Sequence, residues 1–265
     1  MTADVETLKA TWMAGDYGHF ATYMLPGAMD FFPTLGIKPG ERVLDVGCGA
    51  GQLTLPAARA GAVVTGVDIA VNLLEQARAR AQAEGLKIRF DEGDAEALPY
   101  DAAAFDLVFS FIGAMFAPRP DRVAAELIRV CRLGGRIIMG NWTPQGFVGR
   151  MFAIHAKYVP PPAGMTSPVL WGEEAVVRER LRNGIGTLRL TPRKFPFRYP
   201  FPPPDVVDFF RTYYGPSHRA FAALNGEQQE ALRNDLIRLW TEHNLATDKT
   251  THVTAEYLEI VALRG

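Results

Sequence analysis

In the stretch VLDVGCGAGQ at 43–52, an aspartate, Asp45, stands two residues before the first of three glycines at alternate positions, Gly47, Gly49 and Gly51. Glycine reaches positive φ without strain and lets a ligand lie against bare main chain. A second aspartate, Asp68, follows 21 residues after Gly47, and a third, Asp94, sits in the run EGDA at 92–95. A carboxylate at Asp68 can accept hydrogen bonds from both hydroxyls of a ribose, each charge-assisted bond worth about 1.5–3 kcal/mol. Asp94 and a neighbouring backbone N–H can read the amino group and a ring nitrogen of adenine. Each piece also has a plainer use. The glycines can make a tight turn, Asp68 a helix cap before Ile69 or Ala70, and Asp94 a turn.

These residues need a scaffold, and the flanking pattern supplies one. RVLDVG (42–47) reads as a buried strand and AGQLTLPAARAGA as a helix ending near Gly61. AVVTGVD (62–68) is a second strand. The next segment places Leu73, Leu74, Ala77 and Ala81 on one helical face and stops at Gly85. KIRFDEGD (87–94), FDLVFSF (105–111) and RIIMGNW (136–142) continue the strands, with a helix at 122–131 before the last of them. Strand and helix alternate about every 20 to 30 residues, which predicts an α/β, doubly wound, mostly parallel sheet. A ligand then belongs outside the carboxyl ends of the strands, near the free N–H groups that open the first helix.

Residues 4–34 read as two helices broken near Gly15 and Gly18. The pattern changes after Trp142: residues 146–215 hold 12 of the 28 aromatic residues and 10 of the 19 prolines. Such sequence resists regular sheet, so it reads as a lid insertion of short helices (173–183 and 204–214) with an extended strand inside 187–200. A long helix at 227–245 and a closing strand at 253–264 follow. The expected organisation is a single domain over 1–265, with a helical cover at 1–38, a ligand-binding core at 40–142 and the lid at 146–215.

The 265 residues carry a formal charge of −1, which speaks against a nucleic-acid partner. The two cysteines, Cys48 and Cys131, form no CxxC pair, no metal-ligand spacing appears, and no apolar run is long enough to span a membrane. The N-terminus MTADVETLKA lacks the features of a signal peptide, so a cytoplasmic protein with reduced thiols is expected. The sequence says nothing of oligomeric state.

Two ligands fit Asp68 equally well: a dinucleotide, or a nucleoside–amino acid cofactor. The dinucleotide fingerprint GxGxxG aligned on Gly47 and Gly49 would need glycine at position 52, where Gln52 stands. A nicotinamide-dependent oxidoreductase would also need a hydride-transfer site. None of Tyr158, Tyr199 and Tyr257 is followed four residues later by lysine. A non-catalytic binding protein on the same scaffold remains a third reading.

The segments VLDVGCGAGQ, VTGVDIA, EGDAEALPYDAAAFDLVFSFIGAMFAP and ELIRVCRLGGRII resemble those of class I S-adenosylmethionine-dependent methyltransferases, of the type 11 and ubiquinone/menaquinone-methyltransferase-like group. The resemblance covers about 40–142 and is weaker elsewhere. It implies a Rossmann-like, seven-stranded sheet whose antiparallel final strand, 253–264, is inserted between strands five and six. It implies S-adenosylmethionine as cofactor and S-adenosylhomocysteine as product. By the same resemblance Asp45 and Gly47 lie at the methionine end, with Gly49, Gly51 and Gln52 completing the loop. Asp68 holds the ribose, Ile69 packs on adenine, Asp94 and Ala95 read the adenine edge, and Ser110 and Phe111 line the pocket beyond strand four. In WMAGDYGHF (12–20), Tyr17 approaches the methionine carboxylate. The family's usual Pro before the Gly-Gly turn is Leu133 here, and Ile69-Ala70-Val71 stands where Ser-Pro is usual. The Asn-Pro-Pro-Tyr motif of methyltransferases acting on amino groups of DNA bases or glutamine is absent.

The expected reaction is in-line displacement at the sulfonium methyl, with a small apolar or aromatic metabolite as acceptor. Phe116, Phe147, Phe152, Tyr158, Trp171, Phe197, Tyr213 and Tyr214 are candidates to cover it, although by number most are expected to form the lid's own core. His155 and Tyr158, one turn apart, and His19 are the candidate bases; none is assigned.

Overall fold

The computed structural model describes residues 3–162 and 165–265. Met1 and Thr2 of the expected cover, and Ala163 and Gly164 of the expected lid, lie outside the described residues. The chain opens with α1 (Ala3–Met13), α2 (Tyr17–Phe20) and α3 (Leu25–Phe31). Then come β1 (Arg42–Val46), α4 (Thr54–Arg59), β2 (Val63–Asp68), α5 (Val71–Ala83), β3 (Arg89–Glu92) and β4 (Phe105–Phe111). The second half holds α6 (Pro120–Val130), β5 (Cys131–Trp142), α7 (Phe147–Tyr158), α8 (Glu174–Arg180) and β6 (Ile185–Tyr199). Helices α9 (Pro203–Tyr213), α10 (Gly215–Ala222) and α11 (Gly226–Glu242) lead to the last strand, β7 (Thr251–Arg264).

Seven strands form one sheet in the order β3-β2-β1-β4-β5-β7-β6. Strands β1 to β5 pair in parallel, and β7 runs antiparallel between β5 and β6. Val43, Leu44, Val46, Leu107, Val108 and Phe109 are almost wholly buried, as strands covered on both faces require. The order reverses between β1 and β4. The loops leaving these neighbours diverge there and open a crevice.

The expected strand within 187–200 is longer than the aromatic, proline-rich sequence suggested, and it forms the edge of the main sheet. An edge strand tolerates Pro192 and Pro196 because one side of its ladder has no partner to receive an N–H, and proline there also blunts the edge. Phe195, Phe197 and Tyr199 alternate along β6 onto one face and are buried against Trp142, Phe147 and Trp240. The N-terminal helices close the same side of the sheet: Phe31 of α3 stacks on Phe111 of β4 at 4.4 Å.

Candidate functional site

The loop after β1 is shaped by its glycines. Gly47, Gly49 and Gly51 have φ of 73°, 53° and 82°. The amides of Gly47 and Cys48 both donate to the carbonyl of Val67, at 2.8 and 3.1 Å, which ties the loop to β2. A Cβ on Gly47 would lie 2.8 Å from the Cα of Gly113, backbone against backbone across the β1–β4 crevice. Gly47→Ala therefore meets both a disfavoured φ and an immovable neighbour. A loss of about 2 kcal/mol or more of stability is expected, read from chemical denaturation, together with a closed crevice. Gly51 serves packing instead, since its Cβ would meet Leu55 Cδ1 at 2.5 Å and Ala77 Cβ at 3.4 Å. It does not line the cleft. The helix begins at Thr54 rather than directly after the glycines, so the cleft is faced by loop backbone and not by a helical first turn.

Three carboxylates surround this loop. Asp45 is buried, and its Oδ2 accepts from the Thr54 hydroxyl at 2.6 Å. Burial lifts its pKa to about 7, with the Thr54 bond opposing and the nearby Asp68 adding to the rise. Asp68 accepts from the Gly49 amide at 2.8 Å through Oδ2 and from the Ala70 amide at 2.8 Å through Oδ1. Burial raises its pKa too, against the pull of these backbone donors. Ala70, not Asp68, stands at the helix cap position of α5, so Asp68 makes a turn bond just ahead of the helix. Asp94 accepts from the Glu96 amide at 2.9 Å through Oδ1.

All three line one cleft of about 1020 Å³, counting its open mouth. Its wall over the loop is Asp45, Gly47, Gly49 and Gln52; Asp68 and Ile69 come from the end of β2, and Asp94 and Ala95 from the loop after β3. A Cβ on Gly49 would find only Gln52 Oε1 at 3.4 Å and Tyr17 Cε1 at 3.9 Å, so that stretch of main chain is open to a ligand. Tyr17 roofs it. Burial, then the charge of Asp68, pushes its phenol pKa up. Of the expected site residues, Ser110 joins Gly51 outside the lining. Its buried hydroxyl donates to the Val46 carbonyl at 2.6 Å and accepts from the Ala114 amide at 2.8 Å, bracing β4 against β1.

Other lining residues were not singled out in the sequence, apart from Trp12 in the expected cover, Phe111 and Phe116: Leu8 of α1, Ala21, Met24, Ala28 and Ile112 line the cleft as well. The spacing of 21, 24 and 28 is helical and could have flagged one face, but alanine and methionine carry no chemical signature. Ile112 has a φ of 54°, a left-handed conformation rare for a β-branched residue, held by its amide donating to the Gly140 carbonyl at 2.8 Å.

Among the aromatic candidates, Phe116 alone lines the cleft. Its ring packs on Trp12 at 4.8 Å, and Trp12 also meets Tyr17 at 5.3 Å and Tyr214 at 6.0 Å. Phe147, Trp171 and Phe197 are interior packing, and the Tyr158 hydroxyl donates to Asp235 at 2.7 Å. Phe152 reaches Phe116 at 6.1 Å, and Tyr213 meets His19 edge-on at 4.7 Å. His155 is held between the Met151 carbonyl, 2.8 Å from Nδ1, and the Ser217 hydroxyl, 2.9 Å from Nε2. Burial lowers its pKa, so it is neutral near pH 7. Neither His19 nor His155 lines the cleft.

Comparison with known proteins adds the family. A model described as "Methyltransferase domain" matches residues 44–139. The chain is 42% identical over 229 residues to the uncharacterized protein Rv1403c of Mycobacterium tuberculosis, covering 84% of this chain and 82% of that one. It is 38% identical over 156 residues to Methyltransferase GfsG of Streptomyces halstedii, covering 53% and 55% of the two chains. The crystal structure of the YcgJ protein from Bacillus subtilis superposes with a TM-score of 0.60 over 90% of this chain and 97% of its own, at 18% identity. That last likeness is one of fold.

Proposed function

The chain belongs to the class I S-adenosylmethionine-dependent methyltransferases, and from that premise we propose that it passes the sulfonium methyl to a small apolar or aromatic metabolite by in-line displacement. When bound, the cofactor supplies an activated methyl group; the protein supplies orientation and exclusion of water. The residues present fit it. Asp68 spends one lone pair of each oxygen on the Gly49 and Ala70 amides and keeps the others for the ribose hydroxyls. Ile69 and Ala95 offer apolar contact to the adenine, and the free Oδ2 of Asp94 can accept from its amino group. Asp45, Gln52 and Tyr17, beside the open main chain at Gly49, take the methionine end.

The observation that carries this reading is the convergence of Asp68 and bare Gly49 backbone on one cleft at the β1–β4 switch point. On this reading residues 1–38 cover the cofactor, 40–142 hold it and 253–264 close the sheet, all within one domain, while 146–215, expected as a lid, gives its strand Ile185–Tyr199 to the edge of the sheet and none of its described residues to the cleft lining. A near-neutral charge favours a small-molecule acceptor over nucleic acid, and two buried free thiols agree with a cytoplasmic setting. Calorimetry with S-adenosylmethionine and with NAD tests the proposal. Micromolar binding of the first and none of the second is expected, and silence with S-adenosylmethionine up to millimolar would end it.

A further inference from the structure

Helix α5 touches both the glycine loop and the N-terminal cover. Gln76 and Arg80 stand one helical turn apart and share a face, with Ala77 beside them. Arg80 Nη1 donates to the Ala50 carbonyl at 2.6 Å. Ala77 packs under the loop, its Cβ 3.4 Å from where a Cβ on Gly51 would lie. Gln76 Nε2 donates to Asp16 Oδ1 at 3.3 Å, and the same oxygen accepts from the His19 amide at 3.1 Å to cap α2. Gly18 leaves room for Gln76, because a Cβ there would overlap its Oε1. Tyr17 therefore sits between two points that Gln76 holds, and its Cε1 would lie 3.9 Å from a Cβ on Gly49. Neither Gln76 nor Arg80 lines the cleft, so each can act only through another residue.

We propose that Arg80 and Gln76 are positioning residues for the amino-acid end of the cofactor, Arg80 through the Ala50 peptide and Gln76 through Asp16 and Tyr17. The proposal rests on the methyltransferase reading above. Ala50 lies between Gly49 and Gly51, whose φ values are 53° and 82°. Glycine visits other conformations at little cost, so such a loop has weak local reasons to keep one shape. Asp68 fixes it from β2 at the Gly49 amide, and Arg80 fixes it from α5 at the next residue's carbonyl. A loop already held in its binding shape loses little entropy when the ligand arrives. Gln76 does the same for Tyr17, whose helix of four residues has little stability of its own. The nucleoside end is assigned to Asp68, Ile69, Asp94 and Ala95, on the loops after β2 and β3. Loss of either α5 side chain should therefore fall on the amino-acid part of the ligand.

The test compares two ligands by calorimetry on the full chain. One is S-adenosylhomocysteine; the other is methylthioadenosine, which keeps the nucleoside and the thioether but lacks the amino acid. Measurement well below each variant's melting temperature keeps the folded population whole. Arg80→Met and Gln76→Leu remove the donors and keep good helix formers in place. Each variant is expected to bind S-adenosylhomocysteine about tenfold more weakly than the parent, and methylthioadenosine to within about twofold of it. The Arg80 contact uses one nitrogen rather than a bidentate pair, so lysine can supply the donor. Arg80→Lys should recover affinity for S-adenosylhomocysteine to within about threefold of the parent. Equal losses on the two ligands overturn the proposal, because α5 would then only support the fold. Unchanged affinity for S-adenosylhomocysteine in both variants overturns it too, as does an Arg80→Lys no better than Arg80→Met. A parent that binds neither nucleoside would instead sink the methyltransferase reading itself.

Discussion

Exchange of Asp68 for alanine is expected to weaken S-adenosylmethionine binding by about a hundredfold or more, read by calorimetry. Two losses combine. The ribose loses charge-assisted acceptors, and the Gly49 amide, now bonded to Asp68 Oδ2 at 2.8 Å, loses the brace that fixes the open loop. Asp68→Asn separates them, because the amide oxygen can still accept from one backbone donor while the charge is gone. An intermediate loss of about tenfold is expected there. Folding gives a second readout. Burial raises the pKa of Asp68, so its charged form destabilises the empty protein, and the asparagine variant should melt no lower than the parent at pH 8. Undiminished affinity in both variants removes Asp68 from the site. Lost affinity with a collapsed melting temperature would assign it to folding alone.

How much of this could be read from the chain depended on whether chemistry or packing chose the residue. Asp45, Gly47, Asp68 and Asp94 announce themselves, because glycine at φ near 73° and carboxylates at strand ends have few other uses together. Strands β1 to β5 were legible for a related reason. Burial on both faces forces continuous apolar runs such as FDLVFSF, and turn residues bracket them. The opposite holds for the apolar lining. Ala21 at the end of α2, Met24 just before α3 and Ala28 within it line the cleft only because this segment folds over β4, a tertiary fact with no local signature. Ser110 misled in the other direction. A polar residue at the end of β4 suggests a ligand, yet its hydroxyl is taken up bonding Val46 and Ala114. The aromatic run of 195–201 could not reveal that it would join the sheet, because edge pairing depends on where β7 lands and not on the periodicity of β6.

Asp45 sets the remaining large effect, a dependence of the empty protein's stability on pH. Its ordinary carboxyl pKa of 3.8 rises to about 7 on folding. A folded pKa above the unfolded one means that the folded state binds the proton more tightly. The contribution is full below about pH 4 and fades as pH rises through about 7. Three units correspond to roughly 4 kcal/mol lost by pH 8. Asp106, Asp208 and Glu126, held below their ordinary values by arginines, act with the opposite sign and stabilise as pH rises. The difference between parent and Asp45→Asn isolates the one group. The variant keeps an acceptor for the Thr54 hydroxyl, now 2.6 Å from Oδ2, and should gain melting temperature over the parent steadily from pH 5 to pH 8. Parallel curves would show that Asp45 titrates normally. A carboxylate that weakens the fold where it is charged needs a reason to be there, and a cationic ligand group is one. If the cofactor's ammonium settles beside Asp45, its pKa falls and the proton leaves. Calorimetry in two buffers of different ionisation heat should then find about half a proton released per cofactor bound near pH 7 in the parent, and none in the variant. Equal proton release in both would place the ammonium elsewhere in the cleft.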